Sequence, residues 1–208
     1  CRTLVEARNG VLRELARRPL HGAGNSFAPL LYDLPNENII LAADASPFPV
    51  CFDAQTLSKT AQEKRMSVFY INTLGLQDKG KTVCAFPGRA YVFNADGARV
   101  VMSPAYAEGI TVIATDTLPP AAALPAELPI APIHRMLRYA VQKFLARIHM
   151  ERVVIGISGG IDSAVAAALY ADAIGAENVL LVNMPSRFNS ETTKDLAARL
   201  AENLGCRH

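Results

Sequence analysis

The first 18 residues carry apolar side chains at a spacing that fits one face of a helix. Those side chains are Leu4, Val5, Val11, Leu12 and Leu15. Residues 19–36 are rich in turn-forming amino acids and predict an irregular connection. We therefore expect a helix followed by a loop in this part of the chain.

Between residues 38 and 114, short apolar runs alternate with polar turns, which is typical of strands joined by tight connections. The Asp-Gly pair at 96–97 is a strong signal for a hairpin turn between two of these runs. The predicted elements are strands at 38–43, 68–74, 90–93, 99–102 and 110–114 and a helix at 54–64.

A change of composition follows these elements. Residues 117–132 hold five prolines and five alanines and form no periodic element. We interpret them as a semi-stiff linker between one domain at 1–116 and a second domain at 133–208.

The pattern after the linker is regular. A strand, a helix, a second strand and a second helix follow one another with short loops, and this order predicts an open parallel α/β sheet. The second strand shows no alternation, as in parallel sheets covered on both faces. The predicted elements are a helix at 133–149, a strand at 153–157, a helix that ends before Gly175, a strand at 179–184 and a helix opened by Ser190 and Glu191.

Charge and cysteine usage narrow the class of protein. The net charge of +2 and the lack of any block of like charge argue against a nucleic-acid partner. The four cysteines are widely spaced without a CxxC pair, so we expect neither a zinc site nor a disulfide framework. This cysteine usage is typical of a protein in the reducing cytoplasm, which is the location we expect. No apolar run approaches the ~20 residues that a membrane span needs.

Both ends of the chain suggest a piece of a longer polypeptide. The chain begins with Cys1 rather than methionine. At the other end, residues 205–208 follow the last predicted helix, and no further strand is predicted after that helix. The alternative is N-terminal processing combined with a natural C-terminus. We expect the first explanation, because domains rarely stop inside a strand–helix rhythm.

The loop after the strand at 153–157 combines features that bind phosphate. Adjacent glycines let the backbone approach an anion, and the first turn of the following helix offers free N–H groups. Two serine hydroxyls add donors, and an aspartate there can help to hold Mg²⁺ against phosphate oxygens. The candidate binding residues are Gly156, Ser158, Gly159, Gly160, Asp162 and Ser163, with Asp162 as the candidate metal ligand.

The simpler alternative is an ordinary strand-to-helix turn capped by a serine or by the aspartate. The strand, the glycine pair, the Asp and Ser offsets and the helix occur together, which favours the phosphate loop. The segment lacks GxxxxGK[ST] and also fails GxGxxG, so neither a P-loop NTPase nor a dinucleotide fingerprint is indicated.

At these residues, SGGIDS at 158–163 resembles the SGGxDS loop of the PP-loop ATP pyrophosphatases. Residues 182–191, VNMPSRFNSE, resemble the MPSR(Y/F)xS stretch of glutamine-dependent NAD synthetases. This resemblance adds Arg187 and Ser190 to the candidate nucleotide-binding residues. For both residues a surface loop followed by a helix cap is the alternative.

The part before the linker is similar to the later half of a nitrilase-type amidohydrolase domain. The similar segments are ADASPF at 43–48, VFYIN at 68–72 and GLQD at 75–78. The Glu, Lys and Cys triad of such domains is not recognisable, so no catalytic residue is assigned. The implied fold is the later half of a nitrilase-like α/β sandwich joined to the start of an adenine-nucleotide α-hydrolase-like (PP-loop) parallel sheet.

The resemblance implies part of a glutamine-hydrolysing NAD(+) synthase. Such a ligase uses ATP and Mg²⁺ to activate deamido-NAD as an acyl-adenylate, and ammonia from glutamine then forms the amide. It also implies a homo-oligomer for the full-length protein, and we expect this chain alone to be inactive. The alternatives are another PP-loop amide ligase, including a tRNA-modifying enzyme, and a non-catalytic assembly fragment.

Overall fold

The computed structural model describes residues 2–8, 11–18, 30–34, 38–48, 54–78, 80, 82–121, 128–184 and 191–208. Side chains are described within these ranges from residue 38 onward, except at 191–194. Contacts divide the chain into two units. Unit 1 is Cys1–Thr73 with Gly88–Ala123, and unit 2 is Leu74–Pro87 with Leu124–His208.

Unit 1 contains a five-stranded mixed sheet. In spatial order its strands are β3 Leu30–Leu34, β4 Ile39–Asp44, β5 Ser67–Asn72, β8 Ala90–Phe93 and β9 Arg99–Met102. Within this sheet only β4 and β5 run parallel, and the other neighbours are antiparallel.

Helix α1, Ala54–Lys64, connects the parallel strands β4 and β5. Its buried residues Leu57 and Ala61 pack against one face of the sheet. Alternate residues of β4 and β5 are buried, as expected for strands with one face against a helix. The core is formed by Ile40, Ala42, Leu57, Ala61, Val68, Tyr70 and Phe93. The predicted strands at 38–43 and 68–74 and the predicted helix at 54–64 are thereby confirmed within two residues.

The hairpin predicted from Asp-Gly is also present. The Gly97 amide donates to the Asn94 carbonyl at 2.9 Å, and the Asn94 side-chain oxygen accepts from the amides of Asp96 and Ala98. Helix α1 holds the turn through Ser58, whose hydroxyl donates to the Gly97 carbonyl at 2.7 Å. The turn is therefore fixed by local and by tertiary hydrogen bonds.

Three predictions for unit 1 are wrong. The described residues of the helix predicted at 1–18 are strands, because β1 Arg2–Arg8 and β2 Val11–Arg18 pair in antiparallel fashion. In so short a segment, the spacing of the apolar residues fits both the repeat of a helix and the alternation of a strand. Pairing between the two strands decides which structure forms. Residues 110–114 form no strand, and no described strand pairs with them. Ile110 and Val112 are 95% and 93% exposed.

The third wrong prediction is the irregular connection at 19–36. Its described residues form β3, because Leu30–Leu34 pairs along its whole length with β4. The rest of that connection lies outside the described residues. Within the described ranges, no helix is both long and apolar enough to cross a membrane.

The described residues of unit 2 form two two-stranded sheets, three α-helices and one short 3-10 helix at Ala176–Asn178. The elements are β6 Leu74–Asp78, β7 Val83–Pro87, α2 Ala131–Arg147, β10 Val153–Ile157, α3 Ile161–Ile174, β11 Val179–Asn183 and α4 Glu191–Leu204. Strands β10 and β11 are parallel, with Val153 opposite Val179. Strands β6 and β7 pair in antiparallel fashion. The parallel α/β pattern predicted from residue 133 onward is confirmed.

Small side chains bring α3 and α4 close to the parallel sheet. Ala167 of α3 and Ala197 of α4 are both fully buried. They share a core with Ile157, Val179, Leu181 and Ala201. Cys206 packs against this core, and its burial raises the pKa of the thiol.

The parallel sheet departs from its prediction in two ways. We expected both faces to be covered, but Val154 on the face away from this core is 68% exposed. We expected residues 205–208 to precede any further strand, but Arg207 forms a parallel bridge with Leu180. The Leu181 amide donates to the Arg207 carbonyl at 2.8 Å. Arg207 therefore forms an isolated bridge to β11.

Helix α2 is held against α3 by polar contacts. The side-chain amide of Gln142 donates to the Ala173 carbonyl at 2.7 Å. Asp172 pairs with His134 at 3.2 Å and with Arg138 at 3.5 Å. Because Ala173 lies in the last turn of α3, Gln142 satisfies a carbonyl that the helix leaves without an internal donor.

Candidate functional site

The predicted phosphate loop joins β10 to α3 in unit 2. Its first anchor is Ile157, the last residue of β10, which is 3% exposed. Its second anchor is Ala167, which is buried one and a half turns into α3. The two ends of the loop are therefore fixed by the core, while Ser158, Gly160 and Asp162 are exposed. The loop is therefore an exposed turn between two elements that are packed into the core, β10 and α3.

The backbone of the loop needs glycine at one position. Gly159 has φ +78°, a conformation that L side chains rarely adopt. Gly160 is extended, with φ −90° and ψ 162°, and precedes α3 without any side-chain cap. The first amides of a helix have no partner inside it, so those of Ile161, Asp162 and Ser163 can serve an anion.

The two serines of the loop are hydrogen-bonded to each other and to the backbone. The Ser163 hydroxyl donates to the Gly160 carbonyl at 3.1 Å and accepts from the Ser158 amide at 3.2 Å. The two hydroxyl oxygens lie 3.3 Å apart. The Gly160 amide donates to the Ser158 hydroxyl at 3.3 Å. The structure thus brings the two predicted hydroxyls together.

Asp162 lies in the first turn of α3 and is exposed. Among the described side chains, none forms an ion pair or hydrogen bond with its carboxylate. In the same part of the chain, no group of three His, Cys, Asp or Glu side chains could hold a metal ion. A metal at Asp162 would therefore take most of its oxygens from a ligand and from water, as Mg²⁺ in nucleotide sites does.

The remaining predicted residues are placed less decisively. Gly156 is exposed in β10, and an added Cβ would lie 3.6 Å from the Met184 methyl carbon, an ordinary contact. Among the described residues, nothing around this position therefore requires glycine. Arg187 and Ser190 lie outside the described residues, so their roles stay predictions.

A buried polar cluster in unit 1 was not singled out from the sequence. Asp44, Ser46 and Asn72 are at most 7% exposed, at the carboxyl ends of the parallel strands β4 and β5. The Asp44 carboxylate accepts from the Ala45 amide at 2.6 Å, the Ser46 hydroxyl at 2.8 Å and the Tyr70 hydroxyl at 2.6 Å. The Asn72 side chain accepts from the amides of Ser46 and Thr73 and donates to the Ser46 carbonyl. Polar residues at the ends of both predicted strands were the available signal.

Comparison with known proteins agrees with the geometry of unit 2. Residues 133–208 match the family model described as NAD synthase. The chain is 34% identical over 180 residues to the glutamine-dependent NAD(+) synthetase of Rhodobacter capsulatus, covering 81% of this chain and 32% of that protein. It is 31% identical to the synthetase of the same name from Acinetobacter baylyi, covering 82% and 32%.

Over about four fifths of its length, the chain is similar to glutamine-dependent NAD(+) synthetases, and the NAD synthase family model matches its residues 133–208. The resemblance predicted from the two sequence segments is therefore confirmed. The chain spans about a third of the length of these curated synthetases.

Solved synthetase structures share the fold. The glutamine-dependent NAD+ synthetase from Acinetobacter baumannii, in complex with adenosine diphosphate, matches with a TM-score of 0.72 at 22% identity, covering 99% of this chain and 48% of that one. The synthetase from Cytophaga hutchinsonii matches with a TM-score of 0.57 at 13% identity, covering 99% and 42%. The predicted α/β class is confirmed, and the nitrilase-type assignment of residues 1–116 stays a prediction.

Proposed function

We propose that the loop at residues 158–163 binds the pyrophosphate portion of ATP in a ligase that converts deamido-NAD to NAD. One observation carries the proposal. The exposed glycine turn and the uncapped start of α3 lie inside the segment that matches the NAD synthase family. The ADP complex of the Acinetobacter baumannii synthetase supports an adenine nucleotide as the ligand class.

The reaction explains why the loop would grip pyrophosphate. A carboxylate does not react with ammonia at neutral pH, so it must first receive a leaving group. A nicotinate carboxylate oxygen attacks the α-phosphorus of ATP, and the bond from that phosphorus to pyrophosphate breaks. Ammonia then attacks the acyl carbon, the bond to AMP breaks and the amide forms. Donors that already point at the departing pyrophosphate stabilise the charge that builds up on it.

Different groups of the loop would bind the pyrophosphate in different ways. The amides at the start of α3 supply fixed dipoles, and Ser158 and Ser163 supply hydroxyls around them. Asp162 would hold Mg²⁺ together with phosphate oxygens, and the bound ion would neutralise charge on the leaving group. We also propose nucleotide contacts by Gly156, Gly159, Gly160, Arg187 and Ser190.

The rest of the proposal concerns the whole protein. We propose a nitrilase-type amidase domain at 1–116 that releases ammonia from glutamine, a linker at 117–132 and the synthase domain at 133–208. We further propose a homo-oligomer in the cytoplasm. The chain alone should bind nucleotide weakly and form no NAD, because it spans only about a third of its relatives.

The test is ATP–pyrophosphate exchange in a chimera. Residues 133–208 replace the matching segment of the Rhodobacter capsulatus synthetase. We expect the chimera to exchange label and Asp162→Ala to reduce the rate by at least about 100-fold, the scale of losing a charge-stabilising group. The matched control, Asp172→Ala, removes an aspartate from the same helix and should leave the rate within about two-fold, since its ion pairs are half-exposed.

Two outcomes would refute the assignment. One is a folded chimera without exchange. The other is an Asp162→Ala variant that exchanges as fast as the unsubstituted chimera.

A further inference from the structure

We propose that the β6–β7 pair stabilises helix α2 and, through α2, helix α3. The pair consists of Leu74–Asp78 and Val83–Pro87, so it precedes the linker proposed at 117–132. It nevertheless belongs to the same unit as α2, α3 and the loop at 158–163. The proposal goes beyond the proposed function, since it concerns the stability of unit 2 with or without a ligand.

The end of the β6–β7 pair nearest Pro87 is covered on both sides. Ala85 and Phe86 are 7% and 4% exposed, whereas Val83 at the other end of β7 is 46% exposed. Neighbouring residues of a strand point to opposite faces, so the burial of both Ala85 and Phe86 shows that both faces are covered. Two paired strands without such cover are only marginally stable. Helix α2 supplies part of this cover, because it contacts both β6 and β7.

Helix α2 turns one of its faces to the β6–β7 pair. Residues four apart lie on the same side of a helix, so Tyr139, Lys143 and Arg147 share a face. Tyr139 is 8% exposed, and the Lys143 ammonium lies 5.7 Å from the centre of its ring. The Arg147 guanidinium donates to the Leu76 carbonyl at 3.5 Å. This bond identifies the face of α2 that contacts β6.

A different face of α2 contacts α3. His134, Arg138 and Gln142 are also four apart, and they bond to Asp172 and to a carbonyl in the last turn of α3. Because Arg138 and Tyr139 are adjacent, the two faces are separated by about 100° around the helix axis. Helix α2 therefore contacts the β6–β7 pair and α3 at the same time. Loss of the first contact should also weaken the second.

The contact has a consequence for the loop at 158–163. Helix α3 begins at Ile161, directly after the glycine pair, and its last turns bond to α2. The support for the loop therefore includes a segment that precedes the linker. The relevance of this support to pyrophosphate rests on the proposed function, whereas the stability of α2 and α3 can be measured without a ligand.

Two buried phenylalanines provide matched variants for the test. Phe86 of β7 is 4% exposed and belongs to unit 2, and Phe93 of β8 is 3% exposed and belongs to unit 1. Amide hydrogen exchange of the 208-residue chain reports on each element separately. We expect Phe86→Ala to accelerate exchange in α2 and α3 by about 100-fold, the scale of losing a buried ring. Exchange in α1 and β4 should stay within about three-fold, and Phe93→Ala should give the reverse pattern.

A milder variant and a reciprocal variant complete the experiment. Phe86→Leu should accelerate the same elements by about three- to ten-fold, and its pattern decides the question if Phe86→Ala does not fold. Tyr139→Ala should accelerate exchange in β6 and β7 by at least about 10-fold. Its matched control is Leu137→Ala, on a face of α2 where the side chain is 39% exposed, which should leave β6 and β7 within about three-fold.

Three results would overturn the proposal. The first is faster exchange in α1 and β4 alone when Phe86 is substituted. The second is equal acceleration in both units, because the two phenylalanines would then support one cooperative core. The third is unchanged exchange of β6 and β7 in Tyr139→Ala. A chain with the expected exchange pattern that fails to bind magnesium pyrophosphate counts against the proposed function and supports the role of the β6–β7 pair.

Discussion

Two polar regions of this protein lie at the carboxyl ends of parallel strands, and they differ in how their hydrogen bonds are completed. In unit 1 the Asp44 carboxylate is 6% exposed and accepts three hydrogen bonds from its own neighbours. In unit 2 the loop after β10 is exposed, and the helix that follows it begins without a side-chain cap. Strand ends of this type are where α/β proteins place ligands.

The difference shows that position alone does not define a site. The donors around Asp44 are engaged by the protein, and no buried side-chain N or O atom lacks a partner among the described residues. These hydrogen bonds therefore fix Ala45 and Ser46 directly after β4. The loop at 158–163 leaves amides and the carboxylate of Asp162 to solvent, which is the condition for binding a charged ligand.

The largest expected effect on stability concerns the buried polar cluster around Asp44 in unit 1. Asp44→Ala removes the acceptor of three hydrogen bonds in a buried setting and should destabilise unit 1 by about 3 kcal/mol or more. Urea unfolding followed by circular dichroism measures the loss. Asp116→Ala, at an exposed aspartate of the same unit, is the control and should change stability by less than about 0.5 kcal/mol. A loss below about 1 kcal/mol for Asp44→Ala would mean that the cluster does not hold unit 1 together.

A smaller effect on stability is expected from changes to the backbone of the loop at 158–163. Gly159→Ala forces a side chain into φ +78° and should cost roughly 1–2 kcal/mol. Gly156→Ala adds a methyl group with no close contact and should change stability by less than about 0.5 kcal/mol. Thermal unfolding of the two variants compares them directly. Equal losses would contradict the conformation assigned to the turn.

The smallest effect on stability should accompany a large effect on binding. Asp162→Asn removes a charge near a helix N-terminus, which is worth about 0.5 kcal/mol of stability. The same change should weaken magnesium pyrophosphate binding by at least about 10-fold, because a metal ligand is lost. Asp195→Asn, an exposed aspartate of α4, should affect neither property. A stabilising role without any change in binding would make Asp162 a helix residue only.

Local signals in the sequence predicted most of the described fold. The hairpin around Gly97 and the strand–loop–helix at 153–174 depend on short-range chemistry, namely turn residues, alternation and helix-favouring alanines. Helix α1 was predicted at its observed bounds for the same reason. The segment at 1–18 was mispredicted, although the Asn-Gly pair at 9–10 between the two strands is itself a hairpin signal.

Features that depend on tertiary contacts could not be predicted in this way. Asp44 and Asn72 lie 28 positions apart in the sequence, and only the parallel pairing of β4 with β5 brings them opposite each other. The hydrogen bonds between Ser158, Gly160 and Ser163 likewise depend on a loop geometry that the sequence motif does not specify.

The most direct test of pyrophosphate binding by the loop at 158–163 is a titration of the ¹⁵N-labelled chain with magnesium pyrophosphate, followed by amide chemical shifts. We expect saturable shifts at the amides of residues 159–163 and none at Asp44 or Asn72. Unchanged loop amides at saturating ligand, or shifts confined to unit 1, would contradict it.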